Sequence, residues 1–309
     1  MVKYENDLRR QLEALKQRAE GVFKGRKSIP YRGMGRSTPS TERPPEGDGG
    51  RRGRRIRMGA EPSVRLSGPL ERLIPGESFD FGGWTFYRVL TDAETVWEDA
   101  GTFHRDYLET LASPFPPEFE ELVPLKVLQE VSPEEICYLD LETTGLAMVP
   151  LFLVGLMYTS NDRLVLDQLF ARDYTEESSV LRFTQDFLKR FRVVVTFNGI
   201  TFDLPFLGQR MTYSGIEFVT PEIHLDLLPL ARGLLRGRTP NHRLQTLERY
   251  LCNRKRIGDV PGSEIPGVYH EFVRSGDAGD LTGVFHHNRL DLLTMLQLAT
   301  VFLSGRYRV

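Results

Sequence analysis

The sequence predicts an α/β domain in the second half of the chain, from the order of its apolar runs. ICYLDLE (136–142), LFLVGLMYT (151–159) and LVLDQLF (164–170) read as three strands with short breaks at 145–150 and 160–163, a three-stranded meander. The run at 175–191, led by acids, then reads as a helix, and VVVTFN (193–198) as a buried strand opening into Gly199. Beyond it the periodicity predicts helices at 224–235, 243–251, 265–275 and 281–303, and no internal repeat is present.

Upstream, the apolar residues Tyr4, Leu8, Leu12, Leu15, Ala19 and Val22 are spaced three and four apart, which predicts an amphipathic helix over 1–24 suited to docking on a protein partner or on the body of the chain. Residues 25–67 hold 13 Gly or Pro among 43, the run RRGRR and few apolar side chains, the composition of a disordered basic linker. Residues 68–130 form a lead-in segment. In it SFDFGGWTFYRVL predicts a β-hairpin turning at Gly82-Gly83, and residues 91–130 are expected to pack against the C-terminal unit with no chemistry assigned to them. The last and largest unit is 131–309.

The 309 residues are enough for a substantial core, and 40% of them are apolar. Two cysteines, Cys137 and Cys252, with no CxxC, exclude a disulfide framework and a four-cysteine zinc site. The absence of an apolar leader, and of any apolar run long enough to span a bilayer, predicts a soluble cytoplasmic protein without membrane association. The net charge of −2 conceals +7 in residues 25–67 and −11 in residues 68–309. A basic flexible segment on an acidic body directs attention to the tail as an attractor of polyanions, with a solubilising linker as the alternative.

Asp140 and Glu142 lie two apart in an apolar strand and so project from one face of a buried sheet. Adjacent buried anions call for a cation, and hard oxygen ligands suit Mg²⁺ or Mn²⁺. The same spacing recurs at Asp92-Ala93-Glu94, so strand context, not spacing, singles out the first pair. Asp203 follows a buried strand, where sites gather in open α/β sheets, and Asp291 sits inside a long apolar helix. A helix-terminal Asp203 and a solvent-facing Asp291 are the structural alternatives.

DLETTG (140–145), the arrangement of Asn198, Phe202 and Asp203, and the terminal His/Asp pair resemble the three motifs of the DEDD (DnaQ-like) exonuclease superfamily. HLDLLPLAR (224–232), LQTLERYL (244–251), DVPGSEIP (259–266) and HNRLDLL (287–293) are similar to its bacterial YprB-like branch. The likeness covers roughly residues 136–303. It implies a ribonuclease H-like fold, a mixed central sheet flanked by helices.

It also implies that Asp140, Glu142, Asp203 and Asp291 associate with two ions, Mg²⁺ or Mn²⁺. In that scheme Asp140 bridges the ions, Glu142 and Asp291 complete the one that orients hydroxide, and Asp203 serves the other. Either His286 or His287 would be the general base. On a formed helix His287 shares the face of Asp291, whereas His286 points roughly 140° away, so His287 is the expected base. Asn198, Phe202 and Phe206 could line the path of a terminal nucleotide, with core packing the alternative for the two rings. His224 and Asp226 are expected as supporting or capping residues, outside the catalytic set.

The implied activity is 3′-to-5′ exonuclease action on single-stranded DNA or RNA. A structure-selective endonuclease and a non-catalytic nucleic-acid-binding scaffold are the alternatives. Deleting residues 25–67 is expected to weaken nucleic-acid binding and flatten its salt dependence without changing sequence preference; an unchanged salt slope would refute a phosphate-contacting role for the linker.

Overall fold

The computed structural model describes residues 66–115, 123–146, 148–256 and 258–307. The amphipathic helix expected over 1–24 and nearly all of the basic linker expected over 25–67 lie outside the described residues.

Seven strands form one mixed sheet: β1 (Glu77–Phe81), β2 (Trp84–Asp92), β3 (Ile136–Thr143), β4 (Leu151–Ser160), β5 (Arg163–Phe170), β6 (Val193–Thr196) and β7 (Ile223–Asp226). Their order across the sheet is β1-β2-β5-β4-β3-β6-β7. The meander β3-β4-β5 is antiparallel, and β6 and β7 add to β3 in parallel, β6 after a crossover through α2 (Glu177–Leu188) and β7 after α3 (Asp203–Tyr213).

Two turns set the antiparallel half. Gly82 and Gly83 carry φ of 63° and 89°, and Asn161 and Asp162 carry 51° and 58°. Positive φ at both positions of a two-residue loop is what the right-handed strand twist favours, and Gly, Asn and Asp tolerate it best. The first turn makes the expected hairpin, and β2 then pairs with β5, so the lead-in segment contributes two strands to the common sheet. Arg88 of β2, 2% exposed, meets the fully buried Asp167 of β5 at 2.8 and 2.5 Å and stacks over Phe79 and Phe183.

The remaining helices of eight residues or more among the described residues are α1 (Ala100–Ala112), α4 (Leu227–Leu234), α5 (Leu244–Leu251), α6 (Ile265–Ser275) and α7 (Leu281–Leu303). The helix expected over 224–235 is corrected at its start: residues 223–226 are a strand, and the helix begins at Leu227. Four residues paired in parallel with β6 have too short an apolar pattern to be told from a helical run. The central helix α7 packs against β3, β4, α1 and α5. Ile136, Tyr138, Leu292, Met295, Leu296 and Ala299 belong to the apolar core on this side of the sheet, which leaves the C-terminal end of β3 for polar groups.

A buried ion pair joins α2 to α3. Arg210 donates to Glu177 at 2.7 and 2.6 Å, and Glu177 also accepts the amide of Leu151 at the start of β4, 2.8 Å away. Arg210→Met leaves a buried carboxylate with one donor and is expected to cost about 3–5 kcal/mol. Urea denaturation with an unchanged slope would read this as a lower midpoint; a loss below about 1 kcal/mol, the size of an exposed pair, would show that the pair is not needed.

Candidate active site

β3 delivers Asp140 and Glu142 to the face covered by α7. The pleat places both on that side, Asp140 partly exposed and Glu142 8% exposed. Asp140 lies opposite Gly155 of β4, which in turn lies opposite Gln168 of β5. That row of partners admits a side chain from α7. A Cβ at Gly155 would collide with Oδ1 of Asn288, so the amide of Asn288 fills the space that glycine leaves.

From there Asn288 donates through Nδ2 to Oδ2 of Asp140 at 2.8 Å, and its own Oδ1 accepts from Gln168 at 2.9 Å. Gln168 also donates to the carbonyl of Phe285 at 3.0 Å and accepts from Arg289 at 2.7 Å. A chain of directed hydrogen bonds thus runs from Arg289 through Gln168 and Asn288 to Asp140. It fixes the carboxylate's orientation and leaves no ambiguity in which way either amide points.

Asp203 reaches the group from the first residue of α3 and is 5% exposed. The loop before it is held by Asp226 at the end of β7. Oδ1 of Asp226 accepts the amides of Asn198 (2.8 Å) and Leu228 (2.9 Å), and Oδ2 accepts the amide of Ile200 (3.0 Å). Asp226 therefore caps α4 and ties down the loop that presents Asp203, combining the supporting and capping roles expected of it. His224 bonds Thr196 of the neighbouring strand at 2.8 Å. Asn198 sits at φ 71°, a left-handed conformation that Asn tolerates, and its Oδ1 accepts from Thr201 at 2.7 Å. Phe202 is partly buried, with its ring centroid 5.4 Å from that of the buried Phe206.

α7 supplies the fourth acid. Asp291 accepts from Arg256 through Oδ1 and lies 3.4 Å from Nε2 of His287 through Oδ2. His287, 7% exposed, uses its other nitrogen, Nδ1, on Asp259 at 2.8 Å. Arg256 also bonds Glu248 at 2.6 Å and Asp259 at 3.0 Å, and Arg254 bonds Glu248 at 2.6 Å. His286 is partly exposed and makes no ion pair with a carboxylate among the described residues. Asp140, Glu142, Asp203, His287 and Asp291 are thus gathered around the end of β3.

Asn288, Gln168, Arg289, Arg256, Asp259 and Glu248 were not singled out from sequence. Gln168 did carry a signal, as an amide in an otherwise apolar strand.

The electrostatics follow from crowding. Burial, then the charges of Asp291, Glu142 and Asp203, push the carboxyl of Asp140 well above the usual range, against the pull of His287. Burial raises Glu142 to about 8, with His287 opposing and Asp291 and Asp203 adding to the rise. Burial raises Asp203 to about 7, opposed by hydrogen bonds from the backbone of Asp203 and Leu141 and reinforced by Asp226 and Asp291. Asp291 goes the other way: although burial raises it, its bonds with His287 and Arg256 hold it below the usual range. Burial disfavours the His287 cation, but Asp259 and Asp291 outweigh it and raise the imidazolium to about 11.

This donor set is chemically suited to a hard divalent cation, since it offers carboxylate oxygens only and its negative charge is strong enough to hold protons near neutrality. In the arrangement described, Asn288 holds one oxygen of Asp140, and Arg256 and His287 hold both oxygens of Asp291. Among the described residues no three His, Cys, Asp or Glu side chains stand ready-grouped to hold a metal ion.

The RNase_H superfamily model matches residues 137–303. The uncharacterized protein YprB of Bacillus subtilis (strain 168) is 32% identical over 170 residues, covering 52% of this chain and 40% of that protein, so the chain spans well under two thirds of that relative. Among solved structures, the family B DNA polymerase of the hyperthermophilic archaeon Pyrobaculum calidifontis is similar at 17% identity and a TM-score of 0.42, over 56% of this chain and 25% of the polymerase.

The crowding has a measurable consequence. Carboxyls whose folded pKa is raised bind more protons in the native than in the unfolded state, so they destabilise the fold as pH rises from about 4 to about 8. The raised His287 acts in the same sense above about pH 6.5, because only the unfolded state then gives up its proton. In EDTA the melting temperature is expected to fall between pH 5 and pH 8, and Glu142→Gln to flatten that fall; equal slopes in the two proteins would show that the acids do not repel.

Proposed function

Because the chain belongs to the ribonuclease H superfamily, whose nucleases generally use divalent metals, we propose that it is a metal-dependent nuclease that hydrolyses phosphodiester bonds. Its mode in this reading is 3′-to-5′ exonuclease action on single-stranded DNA or RNA. One observation carries the proposal: Asp140, Glu142, Asp203 and Asp291 converge on one end of one strand, where burial and mutual repulsion make them a poor structural choice.

In this reading the four acids hold two ions, Mg²⁺ or Mn²⁺. When bound, such metals supply a hydroxide at neutral pH and charge stabilisation at the leaving oxygen. The chain's own groups do the rest. Asn288 fixes the rotation of Asp140. Asp259 anchors Nδ1 of His287 and so aims Nε2 toward Asp291, the position for a base that takes the proton of an attacking water.

Held by Asp259, Asp291 and Glu142, His287 is cationic as it stands, and neutralising Asp291 and Glu142 with a cation would free it to act as a base. Phe202, beside Asn198, offers a partly exposed ring on which a terminal base can stack. Both cysteines are free, as in a reducing compartment, and among the described residues no helix is long and apolar enough to cross a membrane; the proposed location is the cytoplasm.

The test is cleavage of end-labelled single-stranded DNA and RNA with Mg²⁺ or Mn²⁺. A ladder from the 3′ end is expected, abolished by EDTA and reduced about a thousandfold or more in Asp140→Asn, the several kcal/mol that metal catalysis contributes. A blocked 3′ end should stall the reaction; continued cleavage would make the protein an endonuclease. Binding without any metal-dependent cleavage would leave the scaffold reading.

A further inference from the structure

Residues 232–256 carry eight Arg or Lys against the single Glu248, a net +7, while the rest of 68–309 carries −18. Two of these cations are consumed internally: Arg254 and Arg256 are paired with Glu248, and Arg256 also with Asp259 and Asp291. Arg232, Arg236, Arg238, Arg243, Arg249 and Lys255 are exposed, and none makes an ion pair among the described residues. Elsewhere Arg192, Arg274 and Arg306 each lie against a carboxylate, and the exposed Arg72 and Arg105, also without an ion pair among the described residues, stand singly and not in a run.

The basic run borders a cleft of about 380 Å³, lined by Gln245, Arg249, Lys255, Gly258, Val260 and Pro261 and floored by Arg254, Arg256 and Asp259. Its floor and the candidate active site share residues, since Arg256 bonds Asp291 and Asp259 bonds His287. Leu247 and Glu248 of α5 are buried, whereas Gln245 and Arg249, one helical turn apart, face outward into the cleft. Asp259, the acid on the floor, is already offset by Arg256 and His287. Arg254, 5% exposed, keeps Nη1 without a hydrogen-bond partner among the described residues, a donor that the protein itself does not use.

We infer that this cleft is a phosphate-backbone site, in which Arg249 and Lys255 hold a single-stranded nucleic acid so that it runs onto the carboxylate cluster at β3. The inference rests on the nuclease reading for what happens at the cluster, but the binding it asserts does not need catalysis. Unpaired cations on an acidic body concentrate a polyanion where they stand, and the body's remaining charge repels it elsewhere. Because the contacts are to phosphate, the cleft sets register without reading sequence.

The experiment uses the full-length chain in EDTA and measures the anisotropy of a labelled single-stranded oligonucleotide across a salt series, for wild type, Arg249→Ala/Lys255→Ala and, as a distant control, Arg192→Ala. The double variant is expected to bind about tenfold more weakly at low salt, with its slope of log K against log salt reduced by about 1.4, or about 0.7 per lost phosphate contact. The control should match wild type, and all three should melt alike.

An unchanged slope in a double variant that still folds overturns the cleft, even if metal-dependent cleavage by the wild type upholds the nuclease reading. A reduced slope with no cleavage by the wild type upholds the cleft and rejects that reading. Displacement of the oligonucleotide by polyglutamate at equal charge would overturn the assignment to phosphate, and no binding by the wild type would overturn the inference outright.

Discussion

The arrangement depends on one electrostatic constraint: acidic side chains from three separate elements meet at the end of a buried strand. Left alone, such a group would drive the elements apart or take up protons. The surrounding structure reads as a set of partial answers to that repulsion. Arg256 and His287 bring positive charge to Asp291, Asn288 brings a neutral donor to Asp140, and backbone hydrogen bonds from Asp203 and Leu141 lower the cost of ionising Asp203. None of these offsets the charge fully, so Asp140, Glu142 and Asp203 remain raised.

The cations that do this are themselves buried and must be compensated. Glu248, fully buried, carries both Arg254 and Arg256 and takes a hydrogen bond from Thr294 of α7 at 3.0 Å. Asp259 closes the circuit by bonding Arg256 and His287. A short segment between α5 and α6 thereby becomes part of the site, although it contributes none of the four acids. Such networks are rigid when every member is satisfied and costly when one is removed.

Much of this is legible in the sequence. The meander, the α2 crossover and the extent of α7 follow from apolar periodicity, because each is long enough to show its period. The acids at 140, 142, 203 and 291 stand out as charges where burial is expected. The features that the sequence hides are of two kinds. β7 is four residues long, and only its partner β6 distinguishes it from the start of a helix. Arg256 and Asp259 lie in a polar loop, where charge is unremarkable, and their partners Asp291 and His287 are 35 and 28 positions away in the chain. Pairings at such separations are properties of the tertiary fold, and no local pattern encodes them. The same holds for the basic run at 232–256: its composition is in plain view, but its meaning depends on which arginines the fold leaves unspent.

Gly155 shows how far a missing side chain can reach. The notch it leaves in β4 is filled by the amide of Asn288, which makes it a keyway for the central helix. A helix that packs only through leucines can slide or roll by a fraction of a turn at modest cost, since one apolar contact replaces another. A helix keyed by an amide into a single slot cannot. His287 and Asp291 ride on that helix on either side of Asn288, so the alignment of two candidate site residues against Asp140 is inherited from one absent methyl group on the neighbouring strand.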